Sequence, residues 1–164
     1  MSENIYQACL LLGSNIEPEL NLPRAVELLQ EQVNILRLSS IWESASVDCC
    51  YPNYLNLAML VSTSLDAHAL KAQVLRPLEA RMGRVRTEDK NAARPMDIDI
   101  ILFDGQLLDP ELWQHAHQAV PVSELLPHYR SSTGDTLKAV ADRLAEATPI
   151  QLRKDISILL PSGR

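Results

Sequence analysis

The sequence predicts a single α+β domain in which the elements follow the order β-α-β-β-α-β. Two observations lead to this prediction. Short apolar runs that end at turn residues alternate along the chain with longer segments whose apolar residues recur at helical spacing. The 164 residues also match the size of one compact domain, and no internal repeat, low-complexity segment or linker divides residues 1–164.

The first half of the chain is predicted to hold three strands and two helices. Residues 6–12 are an apolar run that stops at Gly13-Ser14-Asn15, as in a buried strand followed by a turn. Pro23 stands near the start of the first helix, where its missing N–H costs nothing, and Pro77 is expected to kink or break the second. The predicted strands are residues 6–12, 35–42 and 54–63; the predicted helices are residues 21–32 and 65–82, the second with Asp66 as its N-cap.

A long polar segment, residues 83–95, leads into a strand whose two faces differ. Loops of this length without structure of their own are usually functional or disordered. In the strand at residues 96–103, Ile98, Ile100 and Leu102 lie on one face, and Asp97 and Asp99 lie on the other. Beyond the turn at Asp104-Gly105 we expect a short strand at 107–108, an apolar piece at 121–126, a helix at 135–147 and a late strand at 151–160.

Composition excludes several classes of protein. A net charge of −6 argues against a general binder of nucleic acid or of anionic membranes. No window reaches the roughly 20 apolar residues of a membrane span. Cys9, Cys49 and Cys50 form no zinc-binding pattern, which is typical of reduced thiols in the cytoplasm. We therefore expect a cytoplasmic protein with small-molecule partners, and the sequence leaves its oligomeric state open.

The most informative feature is the pair of acids in Asp97-Ile98-Asp99. Residues i and i+2 of a strand point to the same side, about 6–7 Å apart along the backbone. Two carboxylates at that spacing repel each other, and a hard divalent cation relieves the repulsion. Magnesium typically takes one or two carboxylates together with phosphate oxygens and water. The alternative is an ordinary solvated polar face, and a D-x-D pair alone does not decide between the two.

The residues upstream favour the magnesium interpretation. The cationic residues of the run GRVRTEDKNAARPMDID are Arg84, Arg86, Lys90 and Arg94. Arginine forks bind phosphate oxygens while carboxylates hold the metal, and in phosphoryl transfer the protein mainly positions groups and neutralises charge. The alternative is a solvated loop in which Glu88 and Asp89 cancel part of the positive charge.

These segments together resemble a known family. The chain resembles the 6-hydroxymethyl-7,8-dihydropterin pyrophosphokinases of the folate pathway. Four motifs of that family occur here in the family's order and at compatible spacings: LLLGSN, PNYLN, LEARMGRVR and RPMDIDIILFD. The resemblance covers residues 6–127. It implies a ferredoxin-like core with helices packed on an antiparallel sheet. It also implies an enzyme that transfers pyrophosphate from ATP to the hydroxymethyl group of 6-hydroxymethyl-7,8-dihydropterin, giving AMP.

The same resemblance implies roles for individual residues. Asp97 and Asp99 match aspartates that hold two Mg²⁺ ions, and they act in catalysis with two loop arginines, Arg84 and Arg86. The residues that match ATP contacts are Arg84, Arg94, Ile100 and His115. The residues that match pterin contacts are Ser44, Val47, Tyr54, Asn56, Glu79 and His117. Tyr54 would offer an aromatic face and Asn56 a polar edge, although Tyr54 also suits an ordinary strand and Glu79 a helix surface.

One segment departs from the family pattern. After the D-x-D strand, family members carry a longer segment that supplies a histidine and an arginine to ATP and an aromatic ring to the pterin; here it shrinks to WQHAHQAVPVSELLP. His115 falls near the position of the family's arginine, and His117 falls near the position of its aromatic residue. The H-A-H spacing predicts that the two histidines share one face of a strand-like segment. Two alternatives follow: a divergent paralogue that acts on a related pterin in another pterin-cofactor pathway, or a non-catalytic pterin- or nucleotide-binding protein.

Overall fold

A computed structural model of the chain describes residues 4–45, 52–85, 93–158 and 160. Its elements are β1 (Tyr6–Ser14), α1 (Pro18–Gln30), β2 (Asn34–Leu38), β3 (Trp42–Ser44), β4 (Tyr54–Thr63), α2 (Ala67–Leu70), a π-helical segment (Lys71–Leu75), α3 (Arg76–Arg81), β5 (Asp97–Phe103), β6 (Gln106–Leu107), a 3₁₀ helix (Pro110–Trp113), α4 (Ala116–Leu125), α5 (Leu137–Ala147) and β7 (Ile150–Leu152). Within these described ranges, no helix has both the length and the apolar character needed to cross a bilayer.

The strands form one seven-stranded sheet in the order β6-β5-β1-β4-β3-β7, and β2 also pairs with β4. Every pairing among the described strands is antiparallel. Helix α1 connects β1 to β2, and α2 and α3 connect β4 to β5. The core strands therefore lie in the order β5-β1-β4-β2, which confirms the predicted β-α-β-β-α-β order and the ferredoxin-like antiparallel sheet.

Helices cover both faces of the sheet. Because side chains alternate along a strand, Leu10 and Leu12 of β1 join the core beneath α1, α2 and α3, whereas Cys9 and Leu11 join the core beneath α4 and α5. Burial raises the pKa of the Cys9 thiol to about 12, so this cysteine is a neutral packing residue. The predicted thiols at positions 49 and 50 lie outside the described residues.

Two boundaries in the first half differ from the prediction. The strand predicted at 35–42 divides into β2 and β3, because Ser40 donates from its N–H (3.1 Å) and its Oγ (2.9 Å) to the carboxylate of Glu124 instead of continuing a ladder. Helix α1 begins at Pro18, which takes the first-turn position that suits a proline, so Pro23 lies inside the helix.

The second predicted helix behaves as its sequence indicates. The carboxylate of Asp66 accepts a hydrogen bond from the N–H of Ala69 at 2.8 Å, which confirms the predicted N-cap. The break expected at Pro77 is also confirmed, since the π-helical segment Lys71–Leu75 ends just before it. A proline has no N–H for the i−4 carbonyl, and a wider turn accommodates that loss.

The second half contains a helix that the sequence did not indicate. The apolar piece predicted at 121–126 is the end of α4, which is buried on most sides and so shows little amphipathic period. His115 and His117 accordingly lie at the start of a helix, and the prediction of a strand-like face is wrong. The late strand predicted at 151–160 is limited to Ile150–Leu152, because its partner β3 offers only Trp42–Ser44 for pairing.

A β-bulge divides β5 into two parts. The register of β5 against β1 shifts after the pair Leu10–Ile100, so that Leu102 pairs with Cys9. Ile98 and Ile100 pack beneath α1, α2 and α3, whereas Leu102 packs beneath α4 and α5. The prediction that all three share a face is therefore wrong at Leu102. Asp97 and Asp99 precede the bulge and keep the common face that their spacing predicted.

Candidate active site

Strand pairing places the predicted metal and pterin residues side by side. Gly13 at the end of β1 lies opposite Asn56 of β4 and opposite Asp97 of β5. Residues directly opposite each other share a face of the sheet. Tyr54 lies two residues before Asn56, and Asp99 lies two residues after Asp97, so both belong to that face as well. It is the face that α4 covers.

The predicted pterin residues form a connected wall beside Gly13. The buried Asn56 donates from Nδ2 to Ser44 Oγ at 2.8 Å and to the carbonyl of Trp42 at 3.2 Å. Its Oδ1 lies toward Gly13. A Cβ atom added to Gly13 would lie 3.5 Å from that oxygen and 3.5 Å from a ring carbon of Tyr54. The asparagine is thus fixed in orientation, with its amide oxygen as an acceptor at the edge of the wall.

Two arginines hold the carboxylate of Asp97. Nη1 of Arg84 donates to Oδ1 at 2.7 Å, and Nη1 of Arg94 donates to Oδ2 at 3.0 Å. Burial favours the neutral form of the Arg84 guanidinium, but the charges of Asp97 and Glu79 outweigh it and raise the pKa of Arg84. Each carboxylate oxygen has a second lone pair, so Asp97 can accept a cation while both arginines remain in place.

Behind this pair lies the buried carboxylate of Glu79, whose side chain is only 2% exposed. It forms ion pairs with Arg76 at 2.9 Å and with Arg84 at 3.1 Å, and it accepts a hydrogen bond from the N–H of Ile98 at 2.7 Å. The alternative of a helix-surface charge is therefore excluded. Glu79 joins α3 to the strand that carries both aspartates, and it fixes the Arg84 side chain from behind.

Asp99 differs from Asp97 in having no such partner. No side chain in the described part of the chain donates a hydrogen bond to its carboxylate or forms an ion pair with it. Burial, with the charges of Asp97 and Asp109, raises the pKa of Asp99 to about 6. A divalent cation shared with Asp97 would remove this electrostatic cost, so the donor set fits a hard metal ion.

A cavity of about 360 Å³ opens beside Asp99. Apolar and polar side chains share its wall, in which Asp99 and Asp109 are acidic and Lys71 is cationic. Ile100, which the sequence assigned to ATP, is one of the lining residues. The lining residues are Ala67, His68, Lys71, Leu75, Ile98, Asp99, Ile100, Leu108 and Asp109.

The two histidines at the start of α4 lie together. Their ring centroids are 5.4 Å apart with an interplanar angle of 28°. Burial, followed by the charge of His115, lowers the pKa of His117, which favours a neutral ring at position 117. His115 is the more exposed of the two and lies 3.9 Å from a carboxylate oxygen of Glu111.

Asn15 lies beside these residues, and the sequence did not reveal its contacts. Its N–H donates to the carbonyl of Arg94 at 3.1 Å, and its Oδ1 accepts from the N–H of Arg94 at 2.6 Å. Its Nδ2 donates to the carbonyl of Pro52 at 3.3 Å. Asn15 therefore ties the end of β1 to the segments that precede β4 and β5. The G-S-N turn was a visible signal, but it could not name these distant partners.

Asp109 and Gln118 form a second pair that the sequence did not indicate. Gln118 of α4 is 4% exposed, and its Nε2 donates to Oδ2 of Asp109 at 3.3 Å. Its Oε1 is buried and has no hydrogen-bond partner in the structure as described. A buried acceptor without a partner costs about 1–3 kcal/mol. Nothing in the sequence distinguishes Gln118 from a surface glutamine.

Most of the predicted site residues thus converge around Asp97. The wall of Ser44, Tyr54 and Asn56 lies along one side, and the arginines, Glu79 and the cavity with Ile100 adjoin the aspartate pair. The two histidines begin the helix that covers this face. Val47 and Arg86 lie outside the described residues, so their predicted roles rest on the sequence.

Comparison with known proteins gives a consistent result. A family model described as 7,8-dihydro-6-hydroxymethylpterin-pyrophosphokinase (HPPK) matches residues 9–127. The chain is 30% identical over 134 residues to the folic acid synthesis protein FOL1 of Dictyostelium discoideum, covering 73% of this chain but only 20% of that protein. It is 32% identical over 136 residues to the 2-amino-4-hydroxy-6-hydroxymethyldihydropteridine pyrophosphokinase of Campylobacter jejuni, covering 77% of this chain and 85% of the relative.

Solved structures show the same fold. The crystal structure of wild-type Plasmodium falciparum HPPK-DHPS with pteroate matches this chain with a TM-score of 0.72 at 11% sequence identity. The match covers 89% of this chain and 45% of that chain. At this level of identity the likeness concerns the fold alone.

Proposed function

Because the chain belongs to the 7,8-dihydro-6-hydroxymethylpterin-pyrophosphokinase family, as the match over residues 9–127 shows, we propose that it transfers pyrophosphate from ATP to 6-hydroxymethyl-7,8-dihydropterin. The acceptor is the hydroxymethyl oxygen, the second product is AMP, and the reaction serves folate biosynthesis. The observation that carries the proposal is the placement of Asp97 and Asp99 beside Arg84 and Arg94. A cytoplasmic location is part of the proposal and rests on the cysteine pattern alone.

We assign Mg²⁺ to Asp97 and Asp99, with two ions expected from the family resemblance. No cluster of three or more histidine, cysteine or acidic ligands occurs among the described residues. The two carboxylates of Asp97 and Asp99 suit magnesium, which keeps phosphate oxygens and water as its other ligands. When bound, magnesium neutralises the charge of the polyphosphate and of the developing transition state.

The arginines complete the neutralisation. Arg84 uses Nη1 on Asp97 and Glu79, and a guanidinium has further N–H groups that can bind phosphate oxygens as a fork. Arg94 lies on the other oxygen of Asp97, so the transferring group would be enclosed by positive charge on two sides. Arg86 joins this set on the sequence pattern. The main task of these residues is to orient the reacting groups in line.

We place the pterin on the wall beside Gly13. Tyr54 offers one aromatic face, and His117, neutral because its pKa is lowered, offers the opposing ring. The amide of Asn56, supported by Ser44, reads the polar edge of the heterocycle. Val47 is assigned here on the sequence pattern, and Glu79 contributes indirectly by holding Arg84.

We place the nucleotide in the cavity beside Asp99, with its base against the apolar part of the wall, which includes Ile100. The phosphates then extend toward Asp97 and Arg94. His115, at the exposed start of α4, lies on the same side as His117 and is assigned to the nucleotide. This arrangement brings the two substrates together at the aspartate pair, where pyrophosphate passes between them.

The direct test is an assay of the purified protein with Mg²⁺, ATP and 6-hydroxymethyl-7,8-dihydropterin. We expect AMP to appear in equal amount to the pyrophosphorylated pterin. Binding of the pterin without AMP release would reject the proposal and favour a non-catalytic binding protein. AMP release with a different reduced pterin, but not with this one, would instead identify a divergent paralogue.

An Arg84→Ala variant is expected to lower kcat by roughly 10²–10³-fold, because it removes a preorganised donor from the developing charge. The effect on ATP affinity should be smaller than the effect on kcat. Steady-state kinetics with varied ATP separate the two. The matched control is Arg143→Ala, which removes an arginine that is 65% exposed on α5 and should leave both parameters unchanged. A loss confined to ATP affinity would reassign Arg84 to ground-state binding.

A further inference from the structure

We propose that Asp109 binds the ribose hydroxyls of the nucleotide and that Gln118 positions it, so that the two residues make the site selective for ribonucleotides. This inference rests on the proposed function and extends it to the identity of the sugar. It assigns a role to two residues that neither the metal pair nor the pterin wall uses.

Asp109 is held from two sides within the cavity wall. Its Oδ1 accepts from the N–H of Glu111 at 3.1 Å, at the start of the 3₁₀ helix, and its Oδ2 accepts from Nε2 of Gln118 at 3.3 Å. Each oxygen retains a second lone pair that can accept from a hydroxyl group. The carboxylate is thus fixed in position and still able to bind the two neighbouring hydroxyls of a ribose, as acidic residues do in dinucleotide-binding folds.

The position of Asp109 in the cavity suits the sugar. Leu75, Ile98 and Ile100 supply apolar surface for a base, and Asp99 marks the metal and phosphate end. In a nucleotide the ribose lies between the base and the phosphates. A carboxylate that lines the same cavity as both is therefore within the span of the molecule where hydroxyl groups need acceptors.

The buried position of Gln118 also supports this role for Asp109. It is 4% exposed, and its amide oxygen has no hydrogen-bond partner in the described part of the chain. Its hydrogen bond to Asp109 fixes the orientation of the amide, since the reversed orientation would set a carbonyl oxygen against a carboxylate. A buried glutamine that leaves one end unpaired and uses the other on Asp109 is explained by the need to orient that carboxylate.

The test compares nucleotide binding with and without each hydroxyl. Titration calorimetry with Mg²⁺ and a non-hydrolysable ATP analogue, its 2′-deoxy form and its 3′-deoxy form gives three dissociation constants. For the wild-type protein we expect at least one deoxy analogue to bind about tenfold more weakly, as the loss of a hydrogen bond to a charged group implies.

Two variants connect that selectivity to the pair. Asp109→Ser retains a capping hydroxyl for the 3₁₀ helix but no longer reaches the sugar, so the difference between ribo and deoxy analogues should fall to within about twofold. Gln118→Leu should reduce the same difference while leaving the melting temperature unchanged or higher, because it removes a buried unpaired carbonyl. A purely structural role for Gln118 would lower the melting temperature and leave the selectivity intact.

The matched control is Asp135→Ser, the same substitution at an aspartate that is 51% exposed and precedes α5. It should keep wild-type selectivity. Equal binding of all three analogues by the wild-type protein would overturn the inference. The same holds if the Asp109→Ser variant needs more Mg²⁺ but still binds the ribo analogue more tightly than the deoxy analogues. No binding of any analogue to the wild-type protein would instead overturn the proposed function, and the role of Asp109 with it.

Discussion

An Asp99→Asn variant is expected to release AMP roughly a thousandfold more slowly than the wild type and yet to be more stable at neutral pH. A bound metal ion contributes several kcal/mol of charge stabilisation, and each 1.4 kcal/mol or so changes the rate tenfold. The gain in stability arises because Asp99 is largely buried beside Asp97 and Asp109, with no compensating partner among the described residues. An amide of the same size removes that repulsion.

The stability difference should depend on pH with a defined sign. The pKa of Asp99 is about 6 in the folded chain, against an ordinary value of 3.8. Below pH 3.8 Asp99 holds its proton in both the folded and the unfolded chain, so its carboxyl group does not lower the unfolding free energy of the wild type. As the pH rises through about 6, the folded chain must carry an unfavourable charge, and the wild type loses roughly 1–3 kcal/mol relative to the variant. Urea unfolding in EDTA at several pH values measures this difference.

The matched control is the same substitution two residues earlier. Asp97→Asn should also slow AMP release strongly, but it removes the charge that pairs with Arg84 and Arg94, so its unfolding free energy should fall rather than rise. Opposite signs for the two variants would separate the paired carboxylate from the unpaired one. Equal destabilisation of both, or near-normal AMP release by Asp99→Asn, would contradict the assignment of Asp99 to the metal.

Glu79→Ala is expected to lower the unfolding free energy by about 3–5 kcal/mol, because it leaves buried cationic and N–H groups without their acceptor. The Arg84 side chain is only 9% exposed, and Ile98 donates its N–H to the same carboxylate. For a domain of this size the change corresponds to roughly 10 °C in melting temperature. AMP release should also fall, since Arg84 loses the group that holds it from behind.

Two further substitutions define the origin of that loss. Glu79→Gln keeps an acceptor for the N–H of Ile98 but removes the charge, so its destabilisation should be intermediate. Glu146→Ala changes an exposed acid on α5 and should stay within about 0.5 kcal/mol of the wild type. If Glu79→Ala cost less than about 1 kcal/mol, the ion pairs around Glu79 would not contribute to stability as described.

The sequence predicted most of the sheet because strand signals here are local. The strand Tyr54–Thr63 has the predicted bounds, and the Asp104-Gly105 turn adopts the positive φ values that favour glycine. The bulge in β5 was not predictable in this way, since it depends on how Ile101 and Leu102 pack against α4. Helix α4 was missed because burial on most sides erases the amphipathic period on which helix prediction depends.

The site shows the same division between local and distant information. The acid pair and the arginine-rich run are close in sequence, so their association could be predicted from spacing alone. Asn15 forms hydrogen bonds with Arg94 and Pro52, which are far from it along the chain. Gln118 forms a hydrogen bond with Asp109, and neither residue belongs to a recognisable motif. Only the folded arrangement brings these partners together, so the sequence could not have paired Asn15 with Arg94 or Gln118 with Asp109.

The bulge also lets the two parts of β5 pack independently of each other. Its first residues carry the acids, and its last residues anchor α4, and the extra residue between them lets each part keep its own orientation. Mutations that repack Ile101 or Leu102 under α4 therefore need not rotate Asp97 or Asp99. The sequence of the helical cover over this face can therefore change while the two acids keep their positions on the strand.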